Sequence, residues 1–127
     1  MSRVRTLLGF ASGAILVLSS AAHSLLGWPQ IAAALAKTNA PPDLVRGLAI
    51  GWHFGGVSML LFGILVILLF AEARKGRPVS LRPALLIGGA YAVFGIGALA
   101  VSGVDPFFLV FIVPGLLLVA AALLRPR

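Results

Sequence analysis
The chain has 127 residues, 61% of them hydrophobic and only 10% charged, with a mean hydropathy of +1.12, a balance that excludes an ordinary water-soluble domain. A net charge of +7 and a pI near 11.8 suit nucleic-acid binding in a soluble protein, but here the charges sit at the edges of four uncharged stretches, residues 6–36, 47–71, 83–104 and 106–124. Because about 20 apolar helical residues cross the roughly 30 Å hydrocarbon core of a bilayer, the chain reads as an all-α polytopic membrane protein.

The expected architecture is a single domain over residues 1–127, an antiparallel bundle of four transmembrane helices with spans at about 6–27, 47–72, 83–103 and 106–124. The first span follows Arg3 and Arg5. Its start also fits a signal peptide, with a basic beginning, an apolar run over 6–18 and small residues at Ser20-Ala21-Ala22. The apolar run continues through Leu25, Leu26 and Gly27, longer than a signal needs, which favours a retained helix. Gly27, with Pro29 just beyond, is a stop signal. Residues 30–37 (QIAAALAK) are then too few to span and are expected to form a short helix at the outer interface.

Asn39-Ala40-Pro41-Pro42 breaks the chain, and Asp43 is placed to cap a second helix running to about Ala73, whose Arg46 would snorkel to the headgroups. The connection over 74–82, with Gly76 and Pro78, is too basic for hydrocarbon. Pro83 suits the first position of a third helix that ends near Ser102. Asp105-Pro106 caps and opens the fourth, which carries a kink signal at Pro114-Gly115 and ends near Leu124.

Orientation follows from the same edges. Arg3, Arg5, Arg74, Lys75, Arg77, Arg82, Arg125 and Arg127 fall on one side, and only Lys37 and Arg46 on the other. This positive-inside bias places both termini in the cytoplasm of a bacterial cell, with the bundle in its inner membrane, and argues against a dual-topology dimer. The lipid bilayer is the expected partner, since basic juxtamembrane residues gain from anionic headgroups, and the charge needs no nucleic acid to explain it. The absence of cysteine removes disulfides and thiol chemistry.

Lipid tails supply no hydrophobic drive between helices, so association rests on close backbone approach and polar contacts. Gly9, Ser12, Ser19, Ser20, His23 and Gly27 share one face of the first helix; Gly47, Gly51, Gly55 and Ser58 form a stripe on the second; Gly88, Tyr91 and Gly95 lie together on the third. These three faces are expected to meet. The fourth helix has no polar side chain between Pro106 and Leu124 and is expected to face mostly lipid.

His23 and His53 are the candidate functional side chains, because ionisable groups within membranes are costly. Both fall in the outer half at similar depth, where paired imidazoles could bind haem or a transition metal. Against shared ligation, His53 lies roughly 160° around its helix from the glycine stripe. Each histidine could instead hydrogen-bond a carbonyl or water near the interface. Trp28 and Trp52 are expected to anchor at the headgroup level, Asp43 and Asp105 to serve as helix caps, and Glu72 to pair with Arg74 or Lys75. No catalytic pattern such as GxSxG, HExxH, a P-loop or CxxC occurs. The first span also lacks the glutamate that small multidrug transporters of similar size require.

His23 with Gly27-Trp28, and Gly51-Trp52-His53, give the chain a resemblance to small four-helix bacterial membrane proteins of no established function, in which a histidine ends the first helix and a Trp-His pair opens the second. The resemblance implies no activity. Three roles are open: a non-enzymatic protein acting through helix-helix contacts, as a homo-oligomer or a subunit of a larger membrane complex, with no catalytic residue and no cofactor; a haem- or metal-binding redox subunit using His23 and His53; or an enzyme or carrier with an outer pocket near His23, Trp28 and Trp52.

Overall fold
The computed structural model describes residues 2–124. Arg125 and Arg127, counted above toward the basic side, and Met1, where a signal peptide would begin, lie outside the described residues. The elements in order are α1 (Arg3–Ala22), a π-helical turn (His23–Gly27), α2 (Trp28–Lys37), α3 (Pro42–Arg74), α4 (Arg82–Val101), a 3-10 turn (Pro106–Phe108) and α5 (Leu109–Leu123). No strand occurs among the described residues. Four helical runs, Arg3–Lys37, Pro42–Arg74, Arg82–Val101 and Pro106–Leu123, are long and apolar enough to cross a membrane.

Gly27 does not stop the first helix. Its backbone is right-handed helical (φ −72°, ψ −49°), and the chain passes through the π turn directly into α2. Pro29, the second residue of α2, lacks an N–H for the preceding turn and its ring crowds the carbonyl four residues back, and the helical run accommodates it immediately after the π turn. Residues 30–37 therefore form the end of α2, which continues the helical run begun by α1 and touches α3.

Local chemistry sets the other boundaries. Ser2 caps α1 by accepting from the Arg5 amide, and Asp105 caps the 3-10 turn by accepting from the Phe107 amide at 2.9 Å. Asp43 makes no cap: Pro41 holds the cap position and Pro42 starts α3, so Asp43, two residues past the cap, instead pairs with Arg46 at 3.5 Å. Its charge still favours the positive end of the helix dipole. Glu72 pairs with Lys75, as expected, and with Arg77 rather than Arg74.

Side by side, the helices run α3, α1, α5, α4, while α3 and α4 barely touch. This corrects the expected packing, since α5 lies against both α1 and α4 instead of facing mostly lipid. Polarity was a poor guide because α5 contributes backbone rather than polar side chains. A Cβ at Gly115 would come within 2.6 Å of the Ala92 amide nitrogen, and one at Gly88 within 2.8 Å of the Gly115 carbonyl oxygen. The α1–α3 contact works the same way, with Phe70 seated on Gly9 and Gly13 set against Gly63.

The buried core joins Leu16, Val66, Phe70, Ala84, Ile87, Leu118 and Ala121, in the half nearer the arginine-rich connection. Outward positions are apolar, with Leu86 and Val93 more than 70% exposed. Ser12 and Ser20 are buried and satisfied within their own helix, donating to the Leu8 and Val17 carbonyls. An apolar exterior over close-packed glycines is the pattern of helices that meet without a hydrophobic drive.

Candidate functional site
The other half of the bundle is organised by the π turn. At 1.5 Å per residue, His23 lies about 30 Å of helix beyond Arg3, and Trp52 about 33 Å from Arg74. Both are one hydrocarbon thickness away from the arginine-rich end, level with the connection between α4 and α5.

Here His23 and Trp52 hold each other through side chain and backbone at once. Their rings stack with centroids 4.1 Å apart and planes 5° from parallel. The Trp52 indole Nε1 donates to the His23 carbonyl oxygen at 2.7 Å, and the His23 Nε2 lies 3.0 Å from the Trp52 carbonyl oxygen. A carbonyl only accepts, so Nε2 carries the proton in this bond and a neutral His23 keeps its lone pair on Nδ1. The π turn is the local reason this works, because its i→i+5 spacing departs from the i→i+4 ladder and re-aims the carbonyls it contains.

Glycines make the approach possible. A Cβ at Gly27 would come within 2.8 Å of the Trp52 ring, and one at Gly55 within 3.4 Å of the His23 Nε2. The Ser24 hydroxyl occupies the space a Cβ at Gly56 would need. Thus Gly27, which looks like a helix terminator, is the surface on which the indole rests. His53 is exposed and meets a different ring, Trp28, at 5.9 Å between centroids. The two histidines are therefore engaged crosswise, each with the tryptophan of the other segment. Among the described residues, no three His, Asp or Glu side chains converge to form a metal site.

Beside the His23–Trp52 bridge lies a recess of about 410 Å³, within the range of small-molecule sites. Its walls come from α1, the π turn, α2, α3 and the start of α5. They are mainly apolar, including Leu26, Ile31, Met59, Val110 and Phe111, with Ser19, His23, Gln30 and Trp52 supplying the polar groups. Trp28 and His53 lie outside this lining.

The remaining candidate residues divide between the two halves. Gly9, Gly88 and Gly95 lie in tight helix crossings; Ser12 is buried; Ser19 lines the recess; Tyr91 is partly buried beside Phe111. Ser58 is turned to its own helix, donating to the Phe54 carbonyl. A Cβ at Gly47 or Gly51 would meet no neighbouring atom within 4 Å. The face of α3 that packs inside the chain is Gly56, Met59, Gly63, Val66 and Phe70, roughly half a turn away from Gly47. That series has the i, i+3, i+7 spacing of a buried face, a signal the glycines at 47, 51 and 55 obscure.

No protein-family model, no curated protein and no solved structure matches this chain.

Proposed function
We propose that this is a multi-pass protein of the bacterial inner membrane that holds the apolar part of an amphiphilic molecule in the recess beside His23 and Trp52. Both termini lie on the cytoplasmic side in this reading, because the basic residues gather there. The recess then opens at the level of the opposite headgroups, where a molecule with an apolar body and a polar head would rest. The observation that carries the proposal is an apolar recess of about 410 Å³ edged by a few polar groups, the His23 and Trp52 side chains among its lining residues. The role is binding or presentation; the residues support no particular bond-breaking step.

Photo-crosslinking tests this. A diazirine-bearing single-chain amphiphile, added to the protein in nanodiscs, should place its adducts on Leu26, Met59 and Phe111. Adducts spread evenly over lipid-facing positions such as Leu86 and Val93 would contradict the reading. A Soret band or stoichiometric metal in the purified protein would instead favour ligation by His23 and His53.

One observation favours a second role, assembly with another membrane helix. Gly13, Gly63, Gly88 and Gly115 admit a neighbouring helix, whereas Gly47 and Gly51 on α3, like Gly89 and Gly97 on α4, meet no atom within 4 Å. A second copy, or a subunit of a larger complex, docking on α3 would use them as the others are used.

A further inference from the structure
The arginine-rich end holds a second arrangement, independent of the His23–Trp52 recess. Two adjoining hollows of about 230 and 310 Å³ share Arg5, Val79 and Leu81 as walls. Arg82 and Leu85 complete one, and Arg77 and Gly76 the other. Three guanidinium groups thus border a lining that is otherwise mostly apolar.

Arg5 is fixed in place. Its Nε donates to the Ala121 carbonyl at 2.8 Å and its Nη2 to the Ala122 carbonyl at 3.1 Å, satisfying acceptors that the end of α5 leaves without partners. Two of its five N–H donors are so used, and a side chain already ordered loses less entropy when it binds something more. Among the described residues, the ion pairs at this end join Glu72 to Lys75 and Arg77. Arg77 is therefore partly neutralised, while Arg5 and Arg82 have no carboxylate partner among those residues.

We infer that these hollows bind the headgroup of an anionic phospholipid, with the phosphate between Arg5 and Arg82 and the first acyl carbons along Val79, Leu81 and Leu85. The guanidinium fork matches phosphate geometry, and basic pockets between membrane helices suit such headgroups. An apolar wall beside the arginines suits a lipid better than a free phosphate, though both offer the same anion. The inference rests on the membrane-embedded reading but not on occupancy of the other recess, so either can fail alone.

Native mass spectrometry of the detergent-solubilised full chain tests it, with phosphatidylglycerol, phosphatidylcholine and inorganic phosphate as probes. Wild type should retain phosphatidylglycerol in preference to phosphatidylcholine. Arg82→Gln should weaken that binding roughly tenfold, as expected for a lost charged hydrogen bond, and Arg77→Gln should weaken it less. Arg3→Gln, at an exposed position outside the hollows, should leave it unchanged. Equal loss in Arg3→Gln and Arg82→Gln would mean diffuse charge attraction and overturn the site. Displacement of the lipid by equimolar inorganic phosphate would assign the hollows to the free anion and overturn the lipid identity.

Discussion

Trp52 and His23 are each committed twice, by a stacked ring and by a hydrogen bond to the other's backbone. Removing the indole N–H while keeping an aromatic ring separates these contributions. Trp52→Phe should leave the His23 carbonyl without its donor and destabilise the protein by about 1 kcal/mol, read as a lower melting temperature in detergent, with faster amide exchange across residues 23–28. An unchanged melting temperature and exchange pattern would mean that stacking alone holds the π turn. The histidines and tryptophans were legible in the sequence as a group on one side of the bundle. Their crosswise pairing was not, because it depends on a π turn that shifts the helix register by one residue after Ala22. Gly27 and Pro29 together imitate a helix end.

At the level of elements, the four long apolar helices followed from the uncharged stretches; Pro106 opens its turn as expected, α4 starts at Arg82, one residue before Pro83, and α3 starts at Pro42, where the sequence suggested a break before an Asp43 cap. The pairing of helices was less visible. Periodicity tells which residues share a face but not which neighbour covers it, and Gly115, without polar company, gave no hint that α5 is held tightly by α1 and α4. A matched pair of substitutions tests the resulting picture. Gly115→Val would drive a side chain against the Ala92 backbone, which cannot yield as a flexible side chain can, and should cost roughly 3 kcal/mol. Gly47→Val meets no neighbouring atom within 4 Å and should leave the melting temperature of the detergent-solubilised monomer within a degree or two of wild type. If α3 docks a further helix, the same Gly47→Val should reduce the oligomer seen by crosslinking in membranes.

Considered whole, the molecule has two unlike ends. The half nearer the arginines carries the closed core around Phe70 and Leu118, with Arg5 fastening α1 to the end of α5. The far half is pinned at the His23–Trp52 bridge and leaves the recess beside it. In the proposed role, the closed core at one end would hold together the helices that wall the recess at the other. The chain has only two tryptophans, and one of them lines the recess, so fluorescence can report its occupancy. In a Trp28→Phe background, Trp52 is the sole indole, and an amphiphile brominated along its acyl chain should quench its fluorescence. Quenching should saturate near one amphiphile per chain and be lost when Ala22, which also lines the recess, is replaced by a bulky ring in Ala22→Phe. Quenching that rises in proportion to bulk amphiphile and is indifferent to Ala22→Phe would contradict the proposed role.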